Sequence, residues 1–168
     1  NTEWDDFPEQ VKERAVVCAI DLVMALIIGS KGNQYKSGIA LAKSLYRNGQ
    51  VPVIGSRDTF SFIGAAVAMG HAANSFDIDD GHNMIKGHPG SAIIAGILAA
   101  ALDKNISYKD FLTTLIVSYE VAIRSGLAIQ KHYNYMHSTG AYGAVGTSAG
   151  VGRILKLDKV QLNNALSI

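Results

Sequence analysis

SYKDFLTTLIVSYEVAIRSGLAIQ, residues 107–130, decides the fold class. Its apolar positions Phe111, Leu112, Leu115, Tyr119, Ala122, Ile123 and Gly126 recur at the three-and-four spacing that lines one face of a helix. Ser107 followed by Asp110 forms a capping box, which offers acceptors to the unpaired N–H groups of a helix start. A long helix from Ser107 to about Gln130 follows. Glu120 and Arg124, four apart, can meet on it. With Asp21 they are candidates for structural charges inside the apolar layer.

On the N-terminal side, Phe7-Pro8-Glu9 opens a helix with Asp6 as a cap and Pro8 in its first turn. It runs to about Ile28 and stops at Gly29-Ser30-Lys31-Gly32. The stretch Ala15 to Ile28 is apolar on every side, the pattern of a central, buried helix. A second helix is expected from Tyr35 to Arg47. Val51 to Ile54 reads as a short extended piece in which Pro52 argues against a central strand. Asp58 is expected to cap a helix through Ala73, and Ser91 to Leu102 to form a short apolar one. On the C-terminal side a helix is expected from Thr139 to Leu155. Asp158 to Gln161 resembles a second capping box. Residues 163–168 still read as helical with no stop signal, so the chain is expected to be part of a longer protein. The whole is all-α, a multi-helix, bundle-like domain over residues 1–168, with no strand–helix–strand rhythm and no repeat.

Composition narrows the function classes. Hydrophobic residues make up 48% and charged residues 17% of the 168, enough apolar content for a sizeable core. Lys+Arg 15 against Asp+Glu 14 leaves a net charge of +1, which gives no footprint for nucleic acid or an anionic membrane. Ala15 to Ile28 carries Asp21 in its middle, Ala92 to Leu102 is too short to span a bilayer, and the N-terminus is acidic. We therefore expect a cytoplasmic protein with no membrane contact. The single cysteine, Cys18, excludes a disulfide framework or a Cys-ligated cluster within the chain and reads as a small core residue.

The chemistry concentrates between the helices. Residues 77–90, DIDDGHNMIKGHPG, gather Asp77, Asp79, Asp80, His82, Lys86 and His88 between two apolar helices, where partial desolvation shifts pKa values. A solvated loop whose aspartates cap turns is the alternative. Asp77, Asp79, Asp80 and His82 can also be written as a metal box, although their spacing fits no metal template, and no metal is assigned. A second polar break, His137-Ser138-Thr139-Gly140, precedes a helix start, where free N–H groups attract anions. Ser138 or Thr139 is expected to cap that helix. The glycines of residues 140–152 follow no strand and form no nucleotide-loop pattern. They read as a face for close helix contact.

Taken together, His71 to His82, Gly87-His88-Pro89-Gly90, Asp21, Ser118 to Gly126 and His137 to Gly140 with the following glycine-rich helix resemble the MmgE/PrpD family in order along almost the whole chain. Members of that family dehydrate 2-methylcitrate, decarboxylate cis-aconitate or epimerise iminodisuccinate. The resemblance implies the first part of a large helical domain, with a lid domain lying outside this chain. It also implies a homodimer and an active site free of metal and cofactor that works on small di- or tricarboxylates. By position it implies catalytic roles for Asp77, His88 and His137. Several members carry Thr where this chain has Gly81.

The residue types suit that chemistry. All three reactions move a proton at carbon beside a carboxylate and need a base, a conjugate acid and cations. His88 and His137 can serve as base and acid, Lys86 and His82 can supply positive charge, and Asp77 can orient an imidazole. Asp80 can hold the loop, and Ser138 can join Asp80, His82 and Lys86 in binding substrate. Two classes stay open: a lyase or isomerase of small polycarboxylates, or a non-catalytic helical scaffold or dimerisation fragment.

Overall fold

The computed structural model describes residues 2–133, 135 and 138–167. Among these the chain forms a 3-10 turn (Trp4–Asp6) and the helices α1 (Glu9–Gly29), α2 (Asn33–Leu45), α3 (Phe62–Ala73), α4 (Pro89–Lys104), α5 (Tyr108–His132), α6 (Gly140–Ile154) and α7 (Lys159–Ser167). The sole sheet among the described residues is a ribbon of β1 (Val51–Pro52) and β2 (Thr59–Phe60), antiparallel with Val51 opposite Phe60. The all-α reading holds.

Local signals account for most boundaries. Ser107 Oγ accepts the Asp110 N–H at 3.1 Å and donates to Asp110 Oδ2 at 2.7 Å, starting α5. Asp158 Oδ1 accepts the Val160 and Gln161 N–H groups while Gln161 Oε1 accepts the Asp158 N–H, a reciprocal box before α7. Asp58, however, does not cap α3. Pairing of β2 with β1 keeps the chain extended through Phe60, so Ser61 is the cap and accepts the Gly64 N–H. Asp58 instead meets Lys43 Nζ at 2.9 Å. α4 begins at Pro89, two positions before the expected Ser91, because proline suits a first helical turn.

α4 is the central element, packed on α3, α5 and α6, with α2 on α3, α7 on α6, and α1 on α3 and α5. Leu22, Leu26, Met69, Ile93, Ile94, Ile97, Leu115 and Tyr142 are fully buried where these helices meet. Each contributes roughly 1.5–3 kcal/mol by leaving water. The glycine-rich face of α6 does allow close helix contact. A Cβ on Gly146 would strike the Ala122 methyl and the Ser118 carbonyl of α5.

Three burial expectations are corrected. α1 is buried only through Ala15, Ala19, Leu22, Ala25, Leu26 and Gly29. Val17, Ile20, Met24, Ile27 and Ile28 are exposed, because the described elements cover one of its two apolar sides. Asp21 is exposed on that helix, and Glu120 and Arg124 form an exposed ion pair on α5. α5 is also the one described single helix long and apolar enough to cross a membrane by length and composition. In the fold its Phe111, Leu112, Leu115, Ala122 and Gly126 are buried.

Candidate functional site

Residues 74–88 carry the chain from the end of α3 to the start of α4. Two positions, Asp77 (φ 54°) and Lys86 (φ 53°), take left-handed backbone and bend the segment into a compact loop. His82 and Gly87 form an isolated antiparallel bridge, with the His82 N–H donating to the Gly87 carbonyl at 2.9 Å. At the tip of this turn Ile85 is fully buried and sits over Gly126 of α5. Lys86 beside it is exposed. The Gln130 side-chain amide donates to the Ile85 carbonyl at 3.3 Å. The polar loop is therefore held by one apolar anchor, which is why a segment without periodicity has a defined place.

Its exit is tied to the second polar break. The His88 N–H donates to Thr139 Oγ1 at 3.0 Å, bringing the first turn of α4 against that of α6. The Tyr142 hydroxyl also donates to Thr139 Oγ1, at 3.4 Å. Thr139 stands at the cap of α6 but makes no capping bond with its side chain, and none is recorded for Ser138, which is exposed. The expected side-chain cap is thus replaced by a bond between the two loops. His137 lies outside the described residues.

Around the His88 ring two carboxylates converge. Nε2 is 3.6 Å from Asp77 Oδ1 and Nδ1 is 3.4 Å from Asp79 Oδ2. The two carboxylates differ sharply: the Asp77 side chain is 80% exposed and that of Asp79 is 0% exposed. Ligand atoms of Asp77, Asp79 and His88 lie within 4.8 Å of one another, so among the described residues this trio, which leaves out Asp80 and His82, is the group able to share a cation. The sequence reading placed Asp79 only in the metal alternative and gave it no part in acid–base chemistry. Its burial is what sets it apart from its neighbours, and three clustered aspartates carry no signal of which one turns inward.

Asp80 has a different setting. Its Oδ1 accepts the Gly90 N–H at 2.9 Å and its Oδ2 accepts the Tyr119 hydroxyl at 2.9 Å. A Cβ at Gly90 would collide with both Asp80 and the Tyr119 hydroxyl, so glycine lets α4 start against this pair. Burial pushes the Asp80 carboxyl above the usual range, against the downward pull of the two hydrogen bonds. The Tyr119 hydroxyl is driven far up by burial first and then by the Asp80 charge. Cys18 is half-buried alongside, its thiol raised by burial and by Asp80. Asp80 and His82 line a cleft of about 460 Å³ between α1 and α5, with Arg14, Cys18, Tyr119 and Glu120 on its walls. Asp77, Asp79 and His88 are not part of that wall. The loop therefore distributes its charged groups: one set around the His88 ring, another fastening the loop to α5.

A polar loop returning between the N-terminal ends of two packed helices, with an imidazole set between two carboxylates, characterises this helical domain. The MmgE/PrpD N-terminal domain matches residues 1–168, and the chain belongs to the MmgE/PrpD family. It is similar to the cis-aconitate decarboxylase of Aspergillus terreus, 26% identical over 176 aligned residues that cover 100% of this chain and 36% of that protein. It is also similar to the cis-aconitate decarboxylase-like protein oryM of Aspergillus oryzae, 24% identical over 173 residues, with 97% of this chain and 36% of that protein covered. The chain thus spans about a third of the length of the curated relatives it matches.

Proposed function

We propose that this chain contributes the helical-domain half of the active site of a lyase or isomerase acting on a small di- or tricarboxylate, by dehydration, decarboxylation or epimerisation. The observation that carries this reading is His88. Its ring stands between two carboxylates, and its backbone is bonded to the start of α6. The N-terminal ends of α4 and α6 favour negative charge beside the ring. A substrate carboxylate resting there would present its neighbouring carbon to an imidazole able to take or return a proton. His137, two residues before Thr139, is the second acid–base group in this reading. His82, Lys86 and Ser138 are proposed to contact substrate. Asp80, with both oxygens engaged by protein donors, holds the loop. The reaction needs no metal or cofactor, since proton transfer beside a carboxylate lies within reach of imidazole and carboxylate groups. The protein is further proposed to be cytoplasmic and to form a homodimer, the latter supported by the uncovered apolar side of α1.

The test is an assay of the protein carrying this chain against a panel of small polycarboxylates, with products followed by proton NMR. Turnover of one of them, reduced about 10²-fold or more in His88→Ala and in His137→Ala, is the expected result. Turnover unchanged by His88→Ala, or turnover of none, rejects the reading.

A further inference from the structure

Asp79 and His88 present each other with the same unmet need. The Asp79 side chain is fully enclosed, and neither of its oxygens receives a hydrogen bond among the described residues. His88 Nδ1 is likewise enclosed and without one. The two groups face each other, Oδ2 to Nδ1, at 3.4 Å. Buried polar atoms without partners are rare because water cannot replace the missing bond. An imidazole nitrogen is either a donor or an acceptor, according to where the ring carries its proton. If Nδ1 carried a lone pair, two acceptors enclosed from bulk solvent would oppose each other. A proton on Nδ1 turns the same contact into a charge-assisted hydrogen bond after a closure of a few tenths of an ångström.

We propose that Asp79 is a positioning residue that holds His88 in its Nδ1–H form and orientation, leaving Nε2 as the nitrogen that exchanges protons with a substrate. The two aspartates at His88 then have separate tasks. Asp79, shielded from water, is a fixed partner on the Nδ1 side. Asp77 faces Nε2 at 3.6 Å from an exposed position, so it is the contact that an incoming carboxylate displaces. Thr139 completes the support by accepting the His88 backbone N–H, so ring and backbone are fixed by different elements. The working role of Nε2 rests on the acid–base reading of His88, whereas the tautomer does not.

The tautomer can be read without any activity. Long-range ¹⁵N–¹H NMR correlation of the labelled protein distinguishes Nδ1–H from Nε2–H in neutral His88. The proposal expects Nδ1–H in the unaltered protein. It expects loss of that preference in Asp79→Asn, whose amide N–H can donate to a bare Nδ1. Asp77→Asn should leave the tautomer unchanged. In the active protein, Asp79→Asn should lower kcat by about 10²-fold with little change in KM. An Nε2–H ring in the unaltered protein overturns the proposal even if Asp79→Asn fails to fold. Stoichiometric Zn²⁺ shifting the His88 ring nitrogens also overturns it, by making the trio a cation site. An Nδ1–H ring in a protein that turns over no polycarboxylate would uphold the tautomer and reject the proposed function.

Discussion

His88 and Thr139, 51 residues apart in sequence, are joined by a 3.0 Å hydrogen bond from the His88 N–H to Thr139 Oγ1. The bond couples the starts of α4 and α6, the two helices whose ends flank the His88 ring. Capping α6 would have used the same hydroxyl for local helix stability. Here the hydroxyl holds a catalytic candidate in place instead.

Thr139→Val removes that acceptor at nearly constant volume and leaves a half-buried N–H unpaired. Urea unfolding should show a loss of about 1–3 kcal/mol. The His88 amide should also exchange faster with deuterated solvent. Unchanged exchange at His88 would mean that the bond does not hold the loop.

Tyr119→Phe leaves Asp80 Oδ2 without its donor. The Asp80 carboxyl is raised above its ordinary value, so the folded state retains a proton over a pH window in which the unfolded chain has lost it. Stability associated with this group therefore falls as pH rises through that window. Removing a hydrogen bond that pulls the value down widens the window. The stability deficit of Tyr119→Phe should be larger at about pH 7 than at about pH 4, near the ordinary aspartate value. Denaturation at both pH values measures it, and equal deficits would contradict the coupling.

Gly146→Val places a branched side chain against the Ala122 methyl and the Ser118 carbonyl. The α5–α6 contact must open, at about 1–3 kcal/mol or more. A variant as stable as the parent in guanidinium unfolding would mean that this contact is not close-packed in solution.

Ile20→Lys and Met24→Lys place charge on the exposed apolar side of α1. If that side joins two copies, light scattering should show a dimer for the parent and a lighter species for each variant. Equal masses would remove α1 from the dimer contact.

The two capping boxes, the apolar face of α5 and the small-residue face of α6 are local patterns. Periodicity and hydrogen-bonding chemistry therefore located α5, α6 and α7 within a few residues. The polar break at residues 77–90 was equally legible as the place where charged side chains gather. Asp58 shows the limit of local signals. It is a good cap by type, yet a distant strand pairing kept the chain extended past it and passed the role to Ser61.

What the sequence by itself determined, then, is the all-helical class, the order of the helices and the loop that gathers the charges. These follow from spacing and side-chain type within a few turns of chain. Only the tertiary structure decided that Asp79 is enclosed while Asp77 stays in water, that Thr139 serves His88 rather than its own helix, and that α1 keeps one apolar side uncovered. Burial and pairing across 51 positions depend on which helices meet. Near-identical neighbours such as Asp77, Asp79 and Asp80 acquire different chemistry only once packing has given each a different environment.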